Sequence, residues 1–182
     1  MSTSQQLTWN EVQRHSVFKT SFVEVEERDY QLPDGSVLEK YAMFIEADGV
    51  AVVALTPGNK FIFVRQFRTV PAEVTIDFAG GAVEKGEDPL GSAQRELLEE
   101  TGYQSTEWQP LGSVLPAQHR LVSTIFVFLA KNCQKVSETN EDDNEFLETV
   151  LLSRSELDQM IQNDTMNCGI CLSSYLKALP HL

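Results

Sequence analysis

The segment from Gly81 to Tyr103 constrains the chain more than any other, because it specifies one helix and the charge on one of its faces. Asp88 can cap a helix through its carboxylate, Pro89 suits the first helical position, and Gly102 suits a left-handed residue that ends the helix. These signals predict a helix that begins at Pro89 and ends near residue 101. Three carboxylates fall within an arc of about 100° on this helix. They belong to Glu96, Glu99 and Glu100.

Carboxylates at this spacing repel one another and would weaken an isolated helix by about a few tenths of a kcal/mol per pair. A bound divalent cation would compensate the repulsion, and crowded hard oxygen ligands suit Mg²⁺, or Mn²⁺ in its place. Arg95, one helical turn before Glu99, can pair with it or with Glu87 and hold the ligands in place. The alternative interpretation is a solvated acidic face with one salt bridge.

The spacing of these residues resembles the signature of the Nudix hydrolases at every fixed position. The chain has Gly81, five residues, Glu87, seven residues, and then Arg-Glu-Leu-x-Glu-Glu-x-Gly before the hydrophobic Tyr103. The resemblance implies metal binding by the three glutamates and a backbone carbonyl, supported by an ion pair. The implied ligands are Glu96, Glu99, Glu100 and the carbonyl of Gly80, the implied pair is Glu87 and Arg95, and Glu99 and Arg95 are also catalytic candidates.

The resemblance extends beyond this segment and points to the branch that hydrolyses ADP-ribose and nucleotide sugars. It covers roughly residues 20–180 and includes residues 63–68, 77–80, 126–130 and 141–148. That branch usually has Glu where this chain has Asp77, and it uses an N-terminal hairpin in dimerisation. The resemblance therefore implies a homodimer.

Three arginines are candidates for binding the substrate's diphosphate, because a guanidinium can contact a phosphate through two hydrogen bonds. Arg68 and Arg120 each end or follow a predicted strand near the expected site, and Arg65 lies in the same stretch as Arg68. The alternative for each is an ordinary surface arginine. His119 is interpreted as a bystander, since the sequence shows no residue that would orient it as a base.

The general base is expected outside the helix, because the helix carboxylates are committed to metal. In the resembling branch a glutamate from a mobile loop approaches the attacking water, and the corresponding loop here is the polar segment 136–145. Glu145 is the first candidate, Glu141 the second and Glu138 the third. The alternative is a solvated acidic loop.

Composition excludes some classes of function. The net charge of −13 argues against a protein that holds nucleic acid through its phosphates, so none is expected as a partner. The N-terminus lacks the pattern of a signal peptide and no run is long enough to span a membrane, which predicts a cytoplasmic protein. Cys168 and Cys171 have C-x-x-C spacing without a second ligand pair, and with Cys133 they are interpreted as ordinary thiols. The alternative is an adventitious metal or redox role.

Periodicity predicts strands in most of the chain and helices in the tail. Residues 17–31 and 36–46 are predicted to form a hairpin around Pro33–Gly35. Further strands are predicted over residues 50–55, 61–66, 73–78, 113–115, 124–130 and 148–152. A capping box, Ser153-Arg-Ser-Glu156, predicts one C-terminal helix, and residues 172–179 form another. The expected fold is α+β, the layered α/β/α Nudix arrangement with a mixed sheet between helices, in a domain of residues 47–182 after an N-terminal β extension of residues 1–46.

The sequence therefore predicts a metal-dependent hydrolase of a nucleoside diphosphate sugar. Water would attack a phosphorus of the P–O–P bridge and release a nucleoside monophosphate and a sugar phosphate. ADP-ribose or a dinucleotide is the alternative substrate. The alternative from another class is a non-catalytic nucleotide-sugar sensor, which would be expected to lose one or more of the three helix glutamates.

Overall fold

The structure is a computed structural model that describes residues 5–138 and 146–182. The chain divides into two compact units. The first contains the residues up to Ala47 together with Leu115–Ser123, and the second contains Asp48–Val114 and Thr124–Leu182. The sequence had not assigned Leu115–Ser123 to the N-terminal part. Among the described residues, no helix has the length and apolar character needed to cross a membrane.

Strands dominate the first two thirds of the chain and helices the end. The strands are β1 (Asn10–Lys19), β2 (Val23–Gln31), β3 (Val37–Glu46), β4 (Gly49–Leu55), β5 (Phe61–Arg68), β6 (Glu73–Phe78), β7 (Tyr103–Gln104), β8 (Glu107–Val114), β9 (Leu121–Val122), β10 (Ile125–Lys131), β11 (Gln134–Lys135) and β12 (Glu148–Leu152). The helices are α1 (Pro89–Thr101), α2 (Arg154–Gln162) and α3 (Gly169–Ala178), with 3-10 turns at Gln5–Leu7 and Leu179–His181.

The first unit is a sheet in the order β1-β2-β3-β9. The predicted hairpin is present as β2 and β3, and its turn is closed by a hydrogen bond of 2.8 Å from the Leu32 N–H to the Ser36 carbonyl. The prediction of one strand over residues 17–31 was wrong. The chain turns after Lys19, where the Thr20 hydroxyl accepts hydrogen bonds from the N–H groups of Phe22 and Val23, and a further strand, β1, precedes the hairpin.

Apolar side chains of the first unit are unevenly covered in the single chain. Both faces of β1 are exposed along its whole length, and the side chains of Phe18, Phe22 and Phe44 are 55%, 87% and 43% exposed. Met43, on the same strand as Phe44, is already buried in the single chain. The uncovered apolar surface is therefore concentrated on β1, the turn after it and part of β3.

The second unit is built on a mixed sheet in the order β12-β5-β4-β10-β8, with β6 paired to β5. Strands β4 and β10 run parallel, while the other neighbours along this path are antiparallel. Every residue of β4 is buried, as expected for a central strand with both faces covered. A separate two-stranded sheet pairs β7 with β11.

Helices cover the two faces of this sheet. Val53 and Leu55 point to a cluster that includes Leu157 of α2 and Tyr175 of α3. The alternate residues of β4 point to a second cluster, which contains Ala93 and Leu97 of α1. This alternation follows the period of two of a β-strand and produces three layers. The predicted mixed sheet between helices is confirmed, and so is the capping box of Ser153 and Glu156 on α2.

Candidate active site

Helix α1 begins and ends where the sequence predicts. The carboxylate of Asp88 accepts hydrogen bonds from the N–H groups of Leu90 and Gly91, at 3.0 and 3.2 Å. At the other end, Gly102 has φ of 73°, and its N–H donates to the Leu98 carbonyl at 2.8 Å. Ala93 and Leu97 are fully buried against the sheet. This burial fixes the rotation of α1 and therefore the direction of its glutamates.

A single arginine ties the acidic face of α1 to the loop before it. Nη1 of Arg95 lies 2.9 Å from Glu96 and 3.0 Å from Glu99, while Nη2 lies 3.2 Å from Glu87. Nη2 also donates to the Ala82 carbonyl at 3.2 Å. Burial alone would lower the pKa of Arg95, but hydrogen bonds to Glu87 and Glu99 outweigh it and raise that pKa above its usual value. Arg95 therefore carries a permanent positive charge between carboxylates.

Glu87 is held in its charged form by two donors. Hydrogen bonds from Arg95 and then from Ser92 lower the pKa of Glu87 below its usual value. The Ser92 hydroxyl, which is buried, lies 2.6 Å from the Glu87 carboxylate. The sequence analysis did not identify Ser92 as a support for this pair. Its position one turn into the helix, beside the capping residue, is the signal that could have found it.

Glu100 connects α1 to the strand end at Gly80. The Gly80 N–H donates to the Glu100 carboxylate at 2.9 Å, and Glu100 is only 7% exposed. The carbonyls on either side, of Ala79 and Gly81, both accept hydrogen bonds from β4. Because successive carbonyls alternate along an extended segment, the Gly80 carbonyl points away from β4, on the side of Glu100. This is the direction that a metal-binding carbonyl needs.

The two glycines at this point allow the backbone to pass very close to its neighbours. A Cβ on Gly80 would overlap the Val50 carbonyl, and a Cβ on Gly81 would overlap the Glu96 carboxylate. A side chain at position 80 would therefore displace the backbone of β4, whereas a side chain at position 81 would displace the Glu96 carboxylate. The loop before α1 is thus held against both β4 and the acidic face.

The ligand set fits a hard divalent cation by its chemistry. It consists of carboxylates and a backbone carbonyl, the oxygen donors that Mg²⁺ and Mn²⁺ prefer. The side chains of Glu96 and Glu99 are 13% and 41% exposed, so the set opens to solvent on the Glu99 side. In the described residues these three glutamates are not among the groups whose ligand atoms all lie within 4.8 Å. A cation shared by all three carboxylates would therefore require rotation of at least one of these side chains.

Two of the candidate arginines lie on β5 in the second unit. Arg68 donates from Nε to the Asp77 carboxylate at 2.7 Å, and its side chain is 46% exposed. Arg65 pairs with Glu148 of β12 at 2.7 Å, and both side chains are largely exposed. Each of these arginines therefore forms an ion pair with one carboxylate while its side chain remains accessible to solvent.

Arg120 belongs to the first unit, where its guanidinium carbon lies 4.7 Å from the centre of the Tyr41 ring. Its Nη1 donates to the Ala42 carbonyl at 3.1 Å. The His119 carbonyl accepts a hydrogen bond from the Tyr41 hydroxyl at 2.8 Å. The Tyr41 ring also meets Trp9 and Tyr30 edge-on, with ring centres 6.3 and 5.9 Å apart.

The start of the acidic loop, residues 136–138, lies beside the end of α1. The N–H groups of Val136 and Ser137 donate to the Gly102 carbonyl at 2.9 and 3.3 Å. Glu138 is exposed and pairs with Lys135 at 3.1 Å. Glu141 and Glu145, the two main candidates for the base, lie outside the described residues.

Comparison with known proteins agrees with the arrangement of α1 and the sheet. Residues 46–167 match the family described as NUDIX domain. The chain is 30% identical over 152 residues to a methanol dehydrogenase activator of Bacillus methanolicus, which covers 83% of this chain and 82% of that protein. It is 28% identical over 153 residues to an ADP-ribose pyrophosphatase of Bacillus subtilis (strain 168), covering 84% of this chain and 82% of that protein.

Two further similarities complete the comparison. An ADP-sugar pyrophosphatase of Mus musculus is 33% identical over 122 residues, which are 61% of this chain and 55% of that protein. The crystal structure of an ADP compounds hydrolase superposes with a TM-score of 0.83 over 96% of this chain and 94% of that one, and at 18% identity it supports the fold alone. The chain therefore belongs to the Nudix family.

Proposed function

We propose that the protein is a Mg²⁺-dependent pyrophosphatase that cleaves the diphosphate of a nucleoside diphosphate sugar. The products are a nucleoside monophosphate and a sugar phosphate. The observation that carries the proposal is the Arg95 cluster, in which one guanidinium contacts Glu87, Glu96 and Glu99 on the exposed face of α1. All the helix glutamates of the family signature are present, which favours turnover over a sensor that has lost them.

The metal ligands in this proposal are the carboxylates of Glu96, Glu99 and Glu100 and the carbonyl of Gly80. When bound, the divalent cation activates water and neutralises the charge that develops on the phosphate oxygens. Arg95 and Glu87 hold Glu96 and Glu99 in position, and the Gly80 N–H fixes one oxygen of Glu100. Glu99, the most exposed of the three carboxylates, is also the one best placed to approach the water.

Arginines bind the diphosphate in this proposal. Arg68 keeps its Nη atoms available while Nε remains on Asp77, so it can contact a phosphate without losing its anchor. Arg65 would exchange its exposed contact with Glu148 for a substrate oxygen. Arg120, whose guanidinium lies over the Tyr41 ring, is the third candidate for binding the diphosphate.

The names of two relatives support an adenosine diphosphate compound as substrate. One relative is an ADP-ribose pyrophosphatase and another is an ADP-sugar pyrophosphatase. ADP-ribose is therefore the principal alternative to a hexose-linked nucleotide, with a dinucleotide as the next. The general base is proposed to be Glu145, with Glu141 second, on the loop that leaves the Gly102 end of α1.

The proposal includes a cytoplasmic homodimer built through the N-terminal β extension of residues 1–46. The exposed rings of Phe18, Phe22 and Phe44 supply apolar surface of the kind that a partner covers. Most such closed assemblies are twofold. Light scattering at micromolar concentration is expected to give twice the chain mass of 20.4 kDa, and a monomer would contradict this part of the proposal.

A substrate screen tests the proposed reaction. Purified protein with Mg²⁺ is offered ADP-ribose, ADP-glucose, GDP-mannose, UDP-glucose and a diadenosine polyphosphate, and the released phosphomonoester is measured. The expected result is the highest kcat/KM for one nucleoside diphosphate sugar and no turnover in the presence of a chelator. Binding of a nucleotide sugar without turnover in any Mg²⁺ or Mn²⁺ condition would favour the sensor instead.

A further inference from the structure

A second group of potential metal ligands lies in the second unit and includes none of the ligands proposed for the hydrolytic metal. It consists of Asp77, near the end of β6, and Cys168 and Cys171 at the start of α3. One ligand atom from each of these residues lies within 4.8 Å of the other two. The sequence showed the C-x-x-C spacing but no third ligand, because Asp77 is 94 residues from Cys171.

We propose that these three side chains form a zinc site, with the two sulfurs and the Asp77 oxygen Oδ1 as ligands. The thiolate and carboxylate donors belong to the set that zinc binds in proteins, whereas Mg²⁺ requires oxygen ligands. The site is thus chemically distinct from the all-oxygen set on α1. A water molecule would complete four-coordination.

The distance between the Cys171 sulfur and the Asp77 oxygen fits tetrahedral zinc. The Cys171 sulfur lies 3.6 Å from Oδ1 of Asp77. With bonds of about 2.3 Å to sulfur and 2.0 Å to oxygen, a tetrahedral ion holds these two atoms about 3.5 Å apart. Zinc could therefore enter with little movement of these two side chains. The start of α3 also lets residues 168 and 171, three positions apart, present both sulfurs on the same side.

The surroundings of Asp77 orient its carboxylate. Its other oxygen, Oδ2, accepts a hydrogen bond from Nε of Arg68 at 2.7 Å. This is an outer-shell contact of the kind that orients metal-binding carboxylates. Asp77 is only 5% exposed, so the cation would also compensate a buried negative charge.

Access to the site is through Cys168. Cys171 is 4% exposed, whereas Cys168 is only partly buried. The fourth position can therefore face water on the Cys168 side. Bound zinc would join the start of α3 to β6 and would fix the carboxylate that anchors Arg68.

The test uses the full chain and zinc alone as the probe. Protein stripped with a chelator is titrated with zinc against a competing chromophoric chelator, in excess Mg²⁺ so that the oxygen ligands of α1 are occupied. The expected result is one tightly bound zinc per chain. Substitution with Co²⁺ should then produce a thiolate-to-metal charge-transfer band, which the carboxylates of α1 cannot produce.

Matched variants separate this site from other metal binding. Cys168→Ser and Cys171→Ser should lose the charge-transfer band, and Asp77→Asn should weaken zinc binding about tenfold or more. Cys133→Ser is the control, because Cys133 is a buried thiol outside the group and its replacement should leave zinc binding unchanged. Cys168 is partly exposed, so its variant should fold normally, as circular dichroism would check.

Three outcomes would overturn the zinc site. They are the absence of a charge-transfer band in the wild type, retention of full zinc affinity in both the Cys168 and Cys171 variants, and loss of zinc binding in Cys133→Ser. Formation of a Cys168–Cys171 disulfide with an oxidised low-molecular-weight thiol, without zinc binding by the reduced form, would identify a redox pair instead. None of these readouts depends on hydrolysis, so failure here is distinguishable from failure of the proposed function.

Discussion

Two groups of potential metal ligands lie in the same unit, and they differ in how the chain assembles them. The carboxylates on α1 come from one helix and are spaced by its period, so a short segment of sequence specifies them. Asp77, Cys168 and Cys171 come from distant segments and meet only through tertiary packing. The first group has oxygen donors alone, whereas the second has two sulfurs. Local assembly makes a site visible in a sequence, and the donor atoms decide which metal it suits.

The largest expected effect concerns Glu100 on α1. In Glu100→Gln the amide oxygen can still accept the Gly80 N–H, but the ligand charge is lost. Turnover should therefore fall by about two to four orders of magnitude with the fold intact. Steady-state kinetics with Mg²⁺ and circular dichroism are the measurements.

The control for this variant is Glu84→Gln, which removes a charge from an exposed residue outside α1. Its turnover should be close to normal. Zinc binding at Asp77, Cys168 and Cys171 should be unchanged in both variants. Near-normal turnover in Glu100→Gln would show that this residue is not a metal ligand. The contrast between an all-oxygen site on α1 and the group of Asp77, Cys168 and Cys171 would then fail.

The next effect concerns the proposed base. Glu145→Gln should lower kcat about a hundredfold, because proton transfer is lost while the ligands of α1 are untouched. The affinity for Mn²⁺, followed by paramagnetic relaxation, should stay the same. Glu138→Gln is the matched comparison, since Glu138 pairs with Lys135 at the described end of the same loop. Full turnover in Glu145→Gln, Glu141→Gln and Glu138→Gln alike would assign the proton transfer to Glu99 or to another group.

The three thiols should differ in reactivity by about tenfold or more, because access and pKa control alkylation. Burial raises the pKa of Cys133 to about 11, so this residue remains a protonated thiol at pH 8. Cys168 is partly exposed and should be alkylated first in chelator-treated protein, as peptide mass spectrometry would show. Added zinc should slow alkylation of Cys168 and leave Cys133 unaffected. Equal alkylation rates at Cys133 and Cys168 would contradict the expected difference in thiol reactivity. Failure of zinc to slow alkylation of Cys168 would contradict the proposed zinc site.

The sequence predicted those parts of the structure whose signals are local. Helix α1 was predicted to the residue at its start, since Asp88, Pro89 and Gly102 each act within one turn of a helix end. The capping box of α2 was predicted for the same reason. The roles of Glu96, Glu99 and Glu100 stay predictions, but their shared face follows from helical periodicity alone.

The parts that were missed depend on pairing between distant segments. Strand β1 has a polar sequence and two exposed faces, and it exists because it pairs with β2. Most of β8 was also missed, because Pro110 and Gly112 argue against a strand. They are tolerated there because β8 lies at the edge of its sheet. The third zinc ligand, Asp77, was missed for the same reason, because it is far from Cys168 in the sequence and reaches it only through tertiary packing.

The smallest expected effect separates the stability of α1 from its chemistry. Asp88→Ala removes the acceptor of the Leu90 and Gly91 N–H groups, so the free energy of unfolding should fall by about 1 kcal/mol. Ser153→Ala on α2 is the matched control and should cost a similar amount. Turnover should change less than about threefold in either variant, because packing of Ala93 and Leu97 and the contacts of Arg95 still fix the carboxylates. Denaturant unfolding measures the free energy of unfolding, and steady-state kinetics measure kcat. A loss of turnover much larger in Asp88→Ala than in Ser153→Ala, at equal loss of stability, would mean that the Asp88 carboxylate acts in the reaction itself, about two helical turns before the first ligand proposed on α1.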